Sequence, residues 1–366
     1  MTDGQHWSDV ARDDAVRHAL GRAARAPSVH NTQPWQIRVD ADTVTIRADR
    51  TRQLTVADRR GRELVMSTGA ALLNLRVGLA ARAWGVEVHR MPDRDDPDLM
   101  AVVHVVPTPP EAELATLDPA VTRRRTNRRS FGEEQLPDVL LHRLSSAAAE
   151  EHALLVPVQS QLHRRLIARL SAEADGQQNA DPAYRAELRR WTRRPAARGD
   201  GLPLAVLPRA EGSPREGVLA QRDFDTAGVG GLPPPKDARE QPLVLLTTLT
   251  DVPEAWLRAG EAMERVLLEL TQAGWVAGPV TQSIEVAVIR SQVRAALCWD
   301  AHPQVLLRVG RAAPVPGTPR REHAEVVRGL EMTPTRRPVV RPESPTGRPE
   351  PEMRAVSDGR GGTTWS

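Results

Sequence analysis

Apolar and polar positions divide the chain into helical and extended stretches. Residues 10–25 set Val10, Val16 and Leu20 among alanines and arginines, which predicts a helix. It stops before Ala26-Pro27-Ser28, because proline disfavours helix at the residue before it. Ile37-Arg38-Val39 and Val44-Thr45-Ile46 alternate apolar and polar around Asp40-Ala41-Asp42, a hairpin pattern. Residues 62–84 predict a long helix with Leu72, Leu75 and Leu79 on one face and small residues over much of the rest. Ala101–Val106 predicts a strand, followed by the stiff connector Pro107-Thr108-Pro109-Pro110. A second block begins near 120, with helices expected over 137–149, 160–174, 183–193, 254–274 and 283–297. The apolar runs Leu243–Leu249 and Val305–Val309 fit strands. Residues 195–241 are rich in Gly and Pro and poor in apolar runs, the character of a long loop or flap. From Thr333 onward Pro, Arg, Glu, Ser and Gly dominate, so 333–366 is expected to be a disordered tail.

Two of these helices echo one another. One starts at Gly69, carries an apolar stripe and ends at Trp84-Gly85; the other starts at Gly260 and ends at Gly274-Trp275. The separation of roughly 190 residues is that of a duplication rather than a solenoid repeat. Helical periodicity is common enough that chance accounts equally well for the echo on this feature alone.

Composition narrows the classes. A chain of 366 residues allows two domains or one large one, and 40% hydrophobic with 27% charged residues is a globular balance. Fifty Lys plus Arg against 47 Asp plus Glu give net +3, which argues against a polybasic nucleic-acid binder. Lys236 is the single lysine, so the cations are almost all arginine. One cysteine, Cys298, excludes an intrachain disulfide and a cysteine-based zinc site. Met1–Asp14 is polar without an apolar signal region, and no run of 18 apolar residues occurs, so a cytoplasmic protein without membrane attachment is expected. With 8 Trp, 2 Phe and 1 Tyr, the core must be built from Leu, Val, Ile and Ala. Neither a His-Glu-x-x-His, a phosphate-loop Gly-Lys-Ser/Thr nor a Gly-x-Ser-x-Gly is present, and Gly228-Val229-Gly230-Gly231 leads into prolines rather than a helix. Metalloenzyme and hydrolase readings therefore lack support, and no metal is expected.

Three segments could carry chemistry. Pro27-Ser28-Val29-His30-Asn31-Thr32-Gln33-Pro34-Trp35 packs a hydroxyl, two amides and an indole between prolines. Such a stiff, neutral, polar loop suits the edge of a heteroaromatic ring, or else it is a turn that satisfies its own backbone. Arg123-Arg124-Arg125-Thr126-Asn127-Arg128-Arg129 holds five arginines in seven residues, which repel unless an anion joins them. Arginine forks match phosphate oxygens, each charge-assisted bond contributing about 1.5–3 kcal/mol. A solvated basic patch and a nucleic-acid contact are the alternatives. Pro319-Arg320-Arg321 forms a second basic piece after the last expected strand.

Taken together the segments resemble the nitroreductase superfamily of FMN-binding proteins, and more narrowly its Acg family, in which two nitroreductase-like halves are joined in one chain. The stretch Ala26–Trp35 looks like the flavin-ring loop, Arg124–Phe131 like the FMN-phosphate motif, and Val309-Gly310 with Pro316–Arg321 like the C-terminal phosphate-binding end. Ser67–Arg76 and Gly278–Glu285 add to the match, which spans about residues 10–325. Thr68 stands where the family often has Cys. The resemblance implies an α+β nitroreductase-like fold in two tandem halves, 1–110 and 120–330, forming an intrachain pseudo-dimer, with 195–241 as a lid-like insertion. In ordinary nitroreductases the arginine motif precedes the ring loop, and FMN lies at a dimer interface. Here the order is reversed and neither motif recurs, which implies one composite FMN site per chain. On this resemblance Arg124, Thr126 and Arg128, with Arg320 or Arg321, would hold the phosphate. Pro27, Ser28, Asn31 and Gln33 would meet the ring, and backbone amides at Val280 and Thr281 would approach its N5. The implied activity is hydride transfer from NAD(P)H through FMN to a nitro compound, quinone or similar small-molecule acceptor. The alternative is storage or sequestration of FMN under the lid. Nucleic acid is not an expected partner, and a monomeric pseudo-dimer or weak homodimer is expected.

Overall fold

In the computed structural model the described residues are 9–40, 43–132, 134–192, 196–208, 219, 222–224, 230–232, 241–329, 355–357 and 363–365. The first helix, α1 (Asp9–Ala23), stops two residues short of the Ala26-Pro27 break. The alternating run that follows forms the expected hairpin, β1 (Trp35–Val39) against β2 (Thr43–Ala48), with Trp35 opposite Ala48 and Val39 opposite Val44. Its inward residues Trp35, Ile37, Val44 and Ile46 are all buried, as the period of two demands. The long helix α2 (Arg62–Ala80) is followed by β3 (Gly85–Arg90) and β4 (Leu99–Val106), which complete a sheet of order β3-β4-β2-β1.

Two short helices, α3 (Ala112–Thr116) and α4 (Asp118–Arg123), lead into the second half. There α5 (Asp138–Glu150), β5 (Leu154–Pro157), α6 (Gln161–Ala180) and α7 (Pro182–Thr192) precede the insertion. After it come β6 (Leu243–Thr248), α8 (Pro253–Gln272), β7 (Val276–Val280), α9 (Gln282–Glu285), α10 (Ala287–Leu297) and β8 (His302–Gly310). The second sheet has the order β5-β6-β8-β7 and is antiparallel throughout. The chain then returns to the first half: α11 (His323–Val326) leads into β9 (Val327–Arg328), which pairs parallel to β1. Residues 1–330 form one unit and 331–366 another. Within the second, β10 (Ala355–Ser357) and β11 (Thr363–Trp365) pair antiparallel, and the rest of the segment expected to be a tail lies outside the described residues. Among the described residues no helix is long and apolar enough to cross a membrane.

The centre of the molecule is the crossing of α2 and α8. Every residue of α2 is buried, so it is an interface helix rather than a surface one. The two echoed glycines explain how it approaches α8. A Cβ on Gly69 would sit 2.0 Å from the Leu257 carbonyl oxygen, and one on Gly260 would sit 2.0 Å from the Met66 carbonyl oxygen. Each glycine thus faces the carbonyl three residues before the other, the reciprocity of a two-fold contact. One hydrophobic core runs through it, from Leu72 and Leu75 to Leu257 and Val266 and on to both sheets. A buried ionic cluster closes one flank. Glu261 accepts from Arg76 at 2.8 Å and from Arg90 at 2.6 Å, while Glu151 bonds Arg76 at 2.7 Å and Arg265 at 2.8 Å.

Candidate functional site

The loop after α1 is bent sharply. His30, Asn31 and Gln33 adopt φ of 44°, 57° and 49°, a left-handed conformation that side chains rarely take and that surrounding bonds must enforce. Those bonds are present. Ser67 Oγ on α2 accepts from the Val29 amide at 3.2 Å, and Ser28 Oγ accepts from the Gln33 amide at 2.9 Å. The Asn31 amide nitrogen donates to the carbonyls of Gly201 and Pro319, both at 3.0 Å. Gln33 donates to the Gly199 carbonyl at 2.7 Å and accepts from the Arg321 amide at 2.9 Å. The loop is therefore pinned to the start of the insertion and to the C-terminal segment at once.

The arginine segment is set by the second sheet. Thr126 bridges in parallel to Ala277 at the outer edge of β7, and the Asn127 amide donates to the Ala277 carbonyl at 3.0 Å. Gly278 is required here, because a Cβ would fall 2.5 Å from the Asn127 carbonyl oxygen. Arg308 on β8 locks the arrangement by donating to the carbonyls of Asn127 and Arg129 at 3.1 and 3.0 Å.

These two segments, 100 residues apart in sequence, face one cavity. Pro27 and Ser28 from the loop, Arg124, Thr126 and Arg128 from the arginine segment, and Val280 and Thr281 at the end of β7 all line it. Apolar walls come from Met66 on α2 and from Met263 and Leu267 on α8. A second, smaller cavity, sharing Arg124, Thr126 and Arg128 with the first, adds Asn31, Gly317, Thr318 and Arg320. Seven of the eleven residues expected from the sequence thus line the main cavity, and Asn31 and Arg320 line the second one. Gln33 and Arg321 line neither; they bond one another behind the loop, Arg321 also donating to the Gln33 carbonyl at 3.2 Å. Asn31, expected against a ring, has its amide engaged by backbone and by Arg320, 3.1 Å away.

The electrostatics of the smaller cavity favour an anion. Burial, then Arg124 and Arg125, lower Arg320 to about 9, and burial with Arg222 lowers Arg128 to about 10. Guanidinium groups depressed this way are cations in want of negative charge. Arg320 Nε is buried without a hydrogen-bond partner. The carboxyl of Glu264 on α8, 3.3 Å from Arg124 Nε, is fully buried and raised to about 7 by that burial, so it neutralises the cluster incompletely.

No family model matches the chain. It is 36% identical over 331 residues to the Mycobacterium tuberculosis protein named "Putative NAD(P)H nitroreductase Rv3131", covering 88% of this chain and 92% of that one. The chain belongs to the Acg family of nitroreductases. The "Putative NAD(P)H nitroreductase acg" of the same organism is 31% identical over 319 residues, covering 86% of this chain and 95% of the relative. Among solved structures, a "putative nitroreductase from anabaena variabilis" superposes with a TM-score of 0.45 at 11% identity, over 85% of this chain and 90% of that one.

This Acg-family protein carries further cavity residues that sequence reasoning did not single out as site residues. His30 lines the cavity, and burial and Arg222 lower it to about 3, so it is neutral. Arg222 and Phe224 reach the wall from the insertion. Arg222 donates to Thr281 Oγ1 at 2.9 Å, to Glu285 Oε1 at 2.5 Å and to the Tyr184 hydroxyl. Glu285 is correspondingly lowered to about 2, Arg222 overcoming the effect of its burial. Arg128 lies over the Phe224 ring at 5.3 Å. Arg308, which also lines the cavity, has a readable signal: a cation inside the apolar strand Val305-Leu306-Leu307-Arg308-Val309. Arg222 and Phe224 sit in a Gly- and Pro-rich stretch without periodicity.

Proposed function

We propose that the chain binds one FMN in this cavity and passes hydride from NAD(P)H to a nitro compound, quinone or similar small acceptor. The observation that carries the reading is the convergence of the neutral polar loop of one half and the arginine segment of the other on a single cavity. The donor set fits the cofactor: an arginine cluster with an orphaned Nε at one end, and neutral polar groups with apolar walls at the other. Arg124, Thr126, Arg128 and Arg320 hold the phosphate, their charges answering its dianion. Pro27, Ser28 and the backbone of Val280 and Thr281 would hold the ring. Bound there, FMN supplies two-electron chemistry, and the protein tunes it through donors near its ring nitrogens. Met66, Met263 and Leu267 exclude water from the ring. Arg321 and Gln33 act as positioning residues, holding the loop in its left-handed turn. The protein works in the cytoplasm as a pseudo-dimer within one chain, alone or as a weak homodimer. Steady-state NADPH oxidation with a panel of nitroaromatics and quinones tests the reading; FMN fully bound with no turnover would refute it.

A second reading, FMN storage, is favoured by one feature: Arg222 and Phe224 of the insertion wall the cavity, and Arg222 is tied to three residues there. It expects yellow protein whose flavin is reduced slowly by NAD(P)H.

A further inference from the structure

Glu63 is a carboxyl that the phosphate and ring contacts do not use. It lies in the first turn of α2 and is 7% exposed. It lines both the main cavity and a second cleft, where Asp58, Asp181, Asp251, Arg290 and Arg294 are among the neighbours. Its Oε1 is 3.3 Å from Arg62 Nη2, but its Oε2 is buried with no hydrogen-bond partner.

The charged groups facing it are Asp58 from the preceding loop, Arg62 from its own helix, Arg222 from the insertion and Glu285 from α9. Both arginines also have other partners, and only Arg62 reaches Glu63, through Oε1. Arg222 pairs with Glu285 at 2.5 Å, and Arg62 donates to the Gln304 carbonyl at 2.5 Å. Two acids nearby and an unserved oxygen disfavour the ionised form. Burial first, then Glu285, push its pKa well above the ordinary value. Among the described residues the buried glutamates Glu151 and Glu261 are each held by two arginines. Glu264 shares with Glu63 an oxygen to spare, but Glu63 stands on a cavity wall.

We propose that Glu63 is a catalytic residue of the reductase reaction, donating a proton to the oxygen of the acceptor. The proposal rests on the functional reading above. Reduction of a quinone to its hydroquinone consumes a hydride and a proton. Reduction of a nitro to a nitroso group consumes the same pair and releases water. The acceptor takes the hydride, two electrons and one hydrogen, from the reduced flavin, and NAD(P)H restores that flavin. The Glu63 O–H bond breaks as the acceptor O–H bond forms, and the carboxylate left behind regains its proton from water in the second cleft.

The test compares the flavin-loaded protein with Glu63→Gln and Glu63→Asp, the flavin being reduced by dithionite so that access of NAD(P)H does not enter. Oxidation is followed by stopped flow with a quinone, which needs a proton, and with ferricyanide, which needs none. A positioned general acid contributes about 10²–10⁴-fold. Glu63→Gln should slow quinone about a hundredfold and ferricyanide far less, with Glu63→Asp in between. The quinone rate of the unsubstituted protein should fall as pH rises, and Glu63→Gln should flatten that fall. Infrared spectra should show protonated carboxyl absorption near neutral pH that Glu63→Gln diminishes and that Glu264→Gln does not abolish. Equal slowing of both acceptors, an unchanged quinone rate, or an infrared band unaltered by Glu63→Gln would each overturn the proposal. Failure of the unsubstituted protein to hold flavin would instead refute the functional reading, and the proposal with it.

Discussion

Replacing Gly260 by alanine puts two opposed effects in competition. Alanine is the better helix former, by about 0.5–1 kcal/mol in a helix interior. Against this, the new Cβ would stand 2.0 Å from the Met66 carbonyl oxygen, 2.6 Å from its carbon and 2.7 Å from its Cα, where ordinary contact begins at 3.4 Å. The obstacle is backbone of a helix buried along its whole length, so no side chain can swing aside. Relief requires α2 and α8 to part by more than an ångström. Inserted methylenes in tight cores cost about 1–3 kcal/mol, and a rigid backbone neighbour sets the cost at the upper end, so the clash wins by about 2 kcal/mol. Gly69→Ala should cost a similar amount, since it meets the Leu257 carbonyl oxygen at the same 2.0 Å. Because one separation of the helices relieves both clashes, the double variant should lose less than the two singles together. Urea unfolding of the three variants measures this, with flavin retention as a second readout. Stability equal to or above that of the parent for Gly260→Ala, or strict additivity in the double variant, would refute the crossing as described.

Other consequences follow from the same geometry. Arg124→Ala combined with Arg128→Ala should yield protein without FMN; stoichiometric flavin after purification, read by absorbance, would contradict the phosphate assignment. Glu261→Gln removes the charge of a fully buried carboxylate and leaves Arg90 and Arg76 undercompensated, for which a loss of about 3–5 kcal/mol is expected in chemical denaturation. Glu264 is raised from 4.5 to about 7 in the folded chain, which therefore holds its proton more tightly than the unfolded one. Its contribution is fully present below about pH 4.5 and is lost as pH rises through about 7, a difference of about 3 kcal/mol; Glu264→Gln should flatten that fall in the flavin-free protein. Glu285→Ala releases Arg222 from its strongest partner, so anaerobic bleaching of bound flavin by NADPH should quicken several-fold if the insertion gates the site.

The sequence made the parts of this fold legible unevenly, for physical reasons. The hairpin at 37–46 and the helices around Gly69 and Gly260 carry strong periodicities, and each forms close to its expected bounds. The run 283–297 was expected as one helix; it breaks into α9 and α10 at Val286, whose φ of −80° and ψ of 111° are extended. β7 was not anticipated, because Val276-Ala277-Gly278-Pro279-Val280 contains both residues that weaken strands. It survives as an edge strand, and its glycine is what admits the arginine segment. β5 is only four residues long, and β9 pairs through two, too short to register as a pattern. The arginine cluster was visible as a charge anomaly, whereas Glu63 looked like an ordinary acid in a helix's first turn. What singles it out is an orphaned oxygen on a cavity wall, and only three dimensions can show that.

The most direct test of the composite site is the flavin stoichiometry of the full-length protein, measured from the absorbance of the holoprotein and of the flavin released on denaturation. One FMN per chain, lost when either the loop or the arginine segment is altered, is the expected result. Two FMN per chain, or none after incubation with excess FMN, would contradict it.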